Sequence, residues 1–212
     1  MKQPFGIILA GGQGTRIGGV DKAFLELGGI TLMHHCIARL RPQVADWAIN
    51  ANGTSGRFST FSVPVLPDPI AGHLGPLAGV LAGLDWAAKQ GGEHVVTVAV
   101  DTPFFPEVLV PRLLLASETA GLAVAATPSQ DQCSVKSGGS PGLDRHPTFG
   151  LWPVALRDDL RQWLLDGERK MALWLDRHGA GEAVFPDRRS FFNINTAKDL
   201  AEAQAIWAKK TG

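Results

Sequence analysis

A glycine-rich loop carrying two cations stands directly behind the first apolar run of the chain. Phe5 to Leu9 leads into Ala10-Gly-Gly-Gln-Gly-Thr-Arg16-Ile-Gly-Gly-Val-Asp-Lys22. Gly11, Gly12 and Gly14 lack a Cβ, so the backbone can take positive φ and turn several N–H groups onto phosphate oxygens. Arg16 adds a planar fork of donors and Lys22 a mobile point charge, a pairing suited to a triphosphate. Two better-known glycine motifs are excluded. The dinucleotide fingerprint G-x-G-x-x-G from Gly12 requires glycine where Ile17 stands, and G-x-x-x-x-G-K-[ST] has no match because Asp21 precedes Lys22. A plain turn joining a strand to a helix is the competing reading.

Further polar residues follow other apolar runs. Asp101-Thr-Pro103 ends the run Val95 to Val100. A carboxylate there suits Mg²⁺, a hard cation usually held by one or two carboxylates plus substrate phosphates. The same residues also suit a helix start, with Asp101 or Thr102 as N-cap and Pro103 in the first turn. Asn50 could read a base or ribose, while Asn52-Gly53 is also a common turn signal. Asp68, between Pro67 and Pro69, either contacts ligand or bonds its own backbone. In Gly75-Pro-Leu-Ala-Gly79, Pro76 fits a first helical position. Gly79 and Gly83 would allow close approach to the sheet or to a nucleotide. Thr196 and Asp199 form a capping pattern, which leaves Asn193 and Asn195, alternating to one face of an extended segment, open to a contact with substrate or with a group that holds a metal. His34 and His35 read as surface or packing residues, and His146 could line a substrate pocket. No Ser-His-Asp or Cys-His constellation is discernible.

These residues must be held by an alternating framework. Short apolar runs at Phe5 to Leu9, Trp47 to Asn50, Val63 to Leu66, Val95 to Val100, Leu122 to Ala126, Phe149 to Trp152 and Ala183 to Phe185 predict strands. Helical spacing covers Leu32 to Leu40, Pro76 to Lys89, Glu107 to Ser117, Ala155 to Leu165 and Ala197 to Lys209. The alternation predicts an α/β fold, a mostly parallel sheet with helices on both faces. Such sheets bind ligands beyond the carboxyl ends of their strands. The glycine loop, Asn50, Asp68 and Asp101 all fall there. Pro128 to Arg145, poor in apolar residues, reads as a long mobile loop.

Composition narrows the classes of partner. The 20 Lys and Arg balance 20 Asp and Glu, so no overall field attracts nucleic acid or an anionic membrane. Cys36 and Cys133 are the only cysteines; without C-x-x-C spacing they fit a reducing compartment, and a cytoplasmic location is expected. No apolar stretch nears the ~20 residues of a membrane span, and the run after Lys2 is too short for a secretory signal. At 212 residues a single domain is expected.

Together these segments resemble the molybdenum cofactor guanylyltransferase family, within the nucleotidyltransferases of three-layer, Rossmann-like fold. The resemblance is carried by Leu9 to Lys22, Asn50-Ala-Asn52, Pro67-Asp68, Gly75 to Gly79, Asp101-Thr-Pro103, His146-Pro-Thr148, Gly167-Glu-Arg169 and Asn193-Ile-Asn-Thr196. It implies GTP contacts from Leu9, Ala10, Gly11, Gly12, Lys22, Asn50, Asp68 and Asp101, with Mg²⁺ on Asp101. Asn193 and Asn195 would face molybdopterin, Arg16, Lys22 and Asp101 would be catalytic, and the resemblance implies a nucleotide-binding half in residues 1–105 and a molybdopterin-binding half in residues 106–212. Transfer of GMP to the molybdopterin phosphate would follow, with molybdoenzyme apoproteins or their chaperones as further partners. A cytidylyltransferase, or another sugar or isoprenoid-phosphate nucleotidyltransferase, shares the loop. A non-catalytic carrier of the nucleotide-loaded cofactor is the alternative from another class. The 128–145 loop is longer than usual for the family, and Val100 stands where a cysteine often precedes the aspartate.

Overall fold

The computed structural model describes residues 2–11, 21–72, 74–129 and 140–211. Arg16, Gly12 and Gly14 of the glycine loop lie outside them. Seven strands form one sheet: β1 (Phe5–Leu9), β4 (Trp47–Asn50), β5 (Val65–Leu66), β6 (His94–Ala99), β7 (Ala123–Pro128), β8 (Leu143–Pro153) and β9 (Gly181–Val184), in the order β5-β4-β1-β6-β8-β7-β9. Only β8 runs against its neighbours, so the expected mostly parallel α/β sheet is found. Leu9 pairs with Asn50 on one side and Ala99 on the other, and Asn50 pairs with Leu66. The carboxyl ends of β5, β4, β1 and β6 therefore finish nearly level.

Alternation along the strands builds two cores. Ile8, Ile49, Val96, Val98 and Ala125 point to one face, against Met33, Cys36 and Leu40 of α1 (Leu32–Leu40) and Leu109 and Leu113 of α3 (Leu109–Ala116). Ile7, Leu9, Ala48, Val95 and Val124 point to the other. There they meet α2 (Pro76–Lys89), α4 (Arg157–Leu165) and α5 (Met171–Arg177). Strands apolar on both sides require this double cover.

Pro76 opens α2 behind Gly75, whose φ of 73° excludes most side chains. The helix then lies against the sheet without clearance. A Cβ on Gly83 would come 2.6 Å from Ile7 Cγ1, and one on Gly79 would come 2.3 Å from Asn50 Oδ1. The close approach left open by the sequence is therefore to the sheet, Asn50 included.

Several features depart from the sequence-based reading. A two-residue hairpin, β2 (Glu26–Leu27) and β3 (Ile30–Thr31), turns at Gly28-Gly29 with φ of 61° and 86°, the positive-φ pair such turns require. With α6 (Ala197–Thr211) it forms a third cluster of Leu25, Leu27, Leu32, Phe104, Ile194 and Ala203. The short helix α5 is likewise additional. The ends of the expected 128–145 loop are strand: Pro128 pairs with Leu143 and Ala126 with Arg145, while residues 130–139 lie outside those described. Thirdly, the expected strand at Phe149 begins earlier and contains a bulge. Ala125 pairs with His146 and Val124 with Gly150, so Pro147, Thr148 and Phe149 loop out of register. A bulge is where a strand tolerates proline.

Candidate active site

Lys22 begins a 3₁₀ turn, Lys22–Phe24, whose buried Ala23 anchors it in the core. Asp21 caps the turn by accepting from Ala23 N at 3.1 Å. From there Lys22 Nζ donates to Asp101 Oδ2 at 3.0 Å and to Asn195 Oδ1 at 2.5 Å. The two charged side chains are only 14% and 20% exposed, so their attraction is less screened than that of a surface pair.

Asp101 is no helix cap, because α3 begins at Leu109 with Val108 before it. Its carbonyl instead accepts from Ile194 N at 2.8 Å, tying the end of β6 to the segment that carries Asn193 and Asn195. That segment enters α6 through the expected capping box. Asp199 Oδ2 accepts from Asn195 N and Thr196 N, at 2.9 and 2.8 Å, and Asp199 N donates to Thr196 Oγ1. These backbone donors hold the Asp199 carboxyl below its usual pKa. Ile194 is buried between two exposed asparagines, which fits the expected alternation. Asn195 turns out to be bonded to the lysine. Beneath this junction the Cys36 thiol donates to Ala99 O and Val100 O; full burial pushes its pKa up, so it stays protonated.

The other half of the crevice is a polar net around Asp68. Asn50 Nδ2 donates to Asp68 Oδ1 at 2.9 Å and to Leu66 O at 3.0 Å. Asn52 Nδ2 donates to Asp68 Oδ2 at 2.7 Å while its Oδ1 accepts from Asp68 N at 2.9 Å. Ala10 N donates to Asn50 O, and Gly11 passes beside the Asn50 amide: a Cβ there would lie 3.3 Å from Oδ1. The turn reading thus holds for Asn52-Gly53, with Gly53 at φ 82°, and not for Asn50, which is in strand.

Two members of this net went unread in the sequence. Arg57 Nη1 donates to Asp21 Oδ2 at 2.6 Å and Nη2 to Asn52 O at 3.1 Å, while its guanidinium lies 4.7 Å over the Phe58 ring. It thereby joins the Asn50–Asp68 side to the turn that carries Lys22. Nothing local marks Arg57, which sits in an ordinary polar stretch. Asp21 lies inside the glycine-loop motif, where the adjacent Lys22 carries the stronger signal.

Of the sequence-predicted site residues, Leu9, Ala10, Gly11, Lys22, Asn50, Asp68, Asp101 and Asn195 line one edge of the sheet. Asn193 borders a cavity with Thr127 and His146. His35 is a packing residue, bonded to Leu27 O at 2.8 Å and edge-on to Trp207. Among the described residues no group of three or more His, Cys, Asp or Glu is placed to hold a metal. Among the described residues Asp101 is a single carboxylate at the end of β6, with the Asn195 amide oxygen on the same ammonium. A cation there would need substrate oxygens to complete its shell, which fits Mg²⁺ carried by a triphosphate.

A carboxylate and a lysine held together at the end of β6, close in sequence to a glycine-rich segment, suit charge neutralisation rather than nucleophilic catalysis by the protein. Residues 6–182 match the model of the MobA-like NTP transferase domain. The chain belongs to that family. It is 47% identical over 205 residues, 97% of each chain, to the molybdenum cofactor guanylyltransferase of Cereibacter sphaeroides. It is similar in fold to the molybdopterin-guanine dinucleotide biosynthesis protein A of Archaeoglobus fulgidus, with TM-score 0.67, 23% identity, and 97% and 99% of the two chains covered. The 2-C-methyl-D-erythritol 4-phosphate cytidylyltransferase of Thermus thermophilus is as alike in fold, with TM-score 0.68, 22% identity, and 98% and 100% covered. The chain fold alone therefore does not choose the base. No helix among the described residues is long and apolar enough to cross a membrane.

Proposed function

We propose that this protein transfers GMP from Mg-GTP to the terminal phosphate of molybdopterin, releasing pyrophosphate and forming the guanine dinucleotide cofactor. The observation that carries the reading is the 47% identity, over 97% of both chains, to an enzyme named for that reaction. The chemistry agrees with the site. A phosphate oxygen of the acceptor attacks the α-phosphorus in line, a new P–O bond forms, and the bond to the β-phosphate oxygen breaks. A phosphate monoester has a second pKa near ~6 and is largely ionised at neutral pH, so no strong general base is needed.

The main obstacle is the approach of two anions. Lys22, tethered between Asp101 and Asn195, keeps positive charge at the meeting point. Arg16 and the backbone of Gly11 to Gly14 receive the triphosphate. Bound with it, Mg²⁺ would sit on Asp101 and neutralise phosphate charge. Asn50 and Asp68, mutually oriented by their hydrogen bond, contact guanosine. Hand-over of the product to molybdoenzyme apoproteins or their chaperones follows from the same reading, as does a cytoplasmic location.

Pyrophosphate release from GTP, CTP, ATP and UTP, with Mg²⁺ and molybdenum-loaded molybdopterin, tests the proposal. Release with GTP alone, dependent on the pterin, is expected. Release with CTP would make the protein a cytidylyltransferase, and binding without release would make it a carrier.

A further inference from the structure

Among the described residues the Lys22 ammonium has two partners, Asp101 Oδ2 at 3.0 Å and Asn195 Oδ1 at 2.5 Å. Both are hard oxygens, the donor type that Mg²⁺ prefers, and the ammonium between them is a cation standing in for one. The other oxygen of the carboxylate, Oδ1, faces the hydroxyl of buried Thr102 at 3.4 Å. A metal ion approaching Asp101 therefore meets a positive charge already seated on it. The two side chains are only 14% and 20% exposed, so water and salt screen the repulsion between two cations here only weakly.

The oxygens are fixed, while the ammonium is free to travel. Asp101 O accepts from Ile194 N at 2.8 Å, and Asn195 N donates to Asp199 Oδ2 at 2.9 Å, so the end of β6 is fastened to the approach to α6. The Lys22 backbone is anchored as well, by the Asp21 cap and by buried Ala23. What can move is the flexible four-carbon stem, which carries a point charge with rotatable donors. An arginine would instead grip the carboxylate through two parallel bonds. The second partner, Asn195, is a neutral amide, and it releases an ammonium more readily than a second carboxylate would. A triphosphate presents several charged oxygens, which outcompete one carboxylate and one amide for the same ammonium.

We propose that Lys22 closes the cation position of Asp101 in the nucleotide-free protein, so that a divalent metal enters only together with a nucleoside triphosphate. The phosphates draw the ammonium off the carboxylate and leave Asp101 to the metal they carry. Both charges stay partnered through the exchange: Asp101 passes from ammonium to metal, and the ammonium from Asp101 to phosphate. Free divalent ions are kept off the site until substrate arrives. The inference rests on the reading of Asp101 as the residue that holds Mg²⁺.

Mn²⁺, whose paramagnetism reports binding without turnover, tests this on the full chain. Titrations in which electron paramagnetic resonance reads the free ion compare wild type, Lys22→Ala, Lys22→Met and Lys22→Ala/Asp101→Asn, all without nucleotide. Removing the like charge should let both single variants bind Mn²⁺ at least about tenfold more tightly than wild type. The double variant should fall back to the wild-type level. Equal affinity in wild type and both single variants overturns the proposal, and so does a gain that survives in the double variant, which would place the ion elsewhere. A second measurement judges the underlying reading. With GTP present, the relaxation of water protons separates Mn–GTP in solution from Mn–GTP on the protein, and binding should be about tenfold weaker in Asp101→Asn than in wild type. No difference between those two proteins means that Asp101 holds no metal, and the metal reading fails together with this proposal. A clear difference there, with equal affinities for the bare ion, means that only the proposal has failed.

Discussion

Lys22 Nζ lies 3.0 Å from Asp101 Oδ2, across 79 positions of sequence, and the same ammonium is held by Asn195 from the far end of the chain. Three segments thus meet on one cation: the turn after the glycine loop, the end of β6 and the approach to α6. The carboxylate suited to a metal already has a positive charge beside it.

Removing either charge should separate function from folding. Lys22→Ala is expected to lower turnover about 10²–10³-fold, the scale of one lost electrostatic contact to a transition state. Asp101→Ala should abolish turnover. Loss of a partly exposed ion pair costs on the order of 1 kcal/mol, so both variants should melt within a few degrees of wild type. Near-normal pyrophosphate release by Asp101→Ala would remove the metal assignment.

Gly79 and Gly83 make a matched pair of tests. Alanine at either forces side chains apart, which costs typically about 1–3 kcal/mol. At Gly83 the obstacle is Ile7, a core residue, so Gly83→Ala should lower stability and leave KM for GTP alone. At Gly79 the obstacles are Asn50 Oδ1 and Leu9 Cδ2. Gly79→Ala should therefore raise KM for GTP as well, and equal KM values in the two variants would dissociate Asn50 from the nucleotide.

Arg57 should act through Asp21. Arg57→Ala releases the cap of the Lys22 turn and the Asn52 carbonyl together, so a several-fold rise in KM for GTP is expected. Both partners are part-exposed, and a double-mutant cycle with Asp21→Ala should yield a coupling of about 0.5–1 kcal/mol. Strict additivity would make the two residues independent.

Stability should depend on pH through His146. Its folded pKa, about 4, lies below the ordinary imidazole value of 6.5 because burial disfavours the imidazolium. The unfolded chain therefore binds the extra proton first. The contribution is intact above pH 6.5 and is lost as pH falls toward 4, by up to about 3 kcal/mol at the acid end. Urea melts between pH 4 and 7 should be less pH-dependent in His146→Gln than in wild type, and identical profiles would refute the burial argument.

Much of this architecture was legible in the sequence for local reasons. Leu32 to Leu40 and Pro76 to Lys89 are helices at their expected bounds, because their apolar spacing, and in α2 the Gly75-Pro76 start, are local signals. The run at Val95 is a central strand, since an apolar run without alternation fits only a doubly covered position. Asp101 was visible as a candidate, but whether it capped a helix depended on where α3 began.

What only the tertiary structure decided is pairing across distance. Asn195 carries no mark that it belongs to Lys22, because the hydrogen bond spans 173 positions and arises from α6 packing on the β2–β3 hairpin. Arg57 is invisible until the chain returns it to Asp21. The direction of β8 and its bulge at Pro147 follow from which strands it lies between, and through them Thr127 and His146 meet at the cavity. Local chemistry nominated the groups; the order of strands, β5-β4-β1-β6, put them in line along one edge of the sheet.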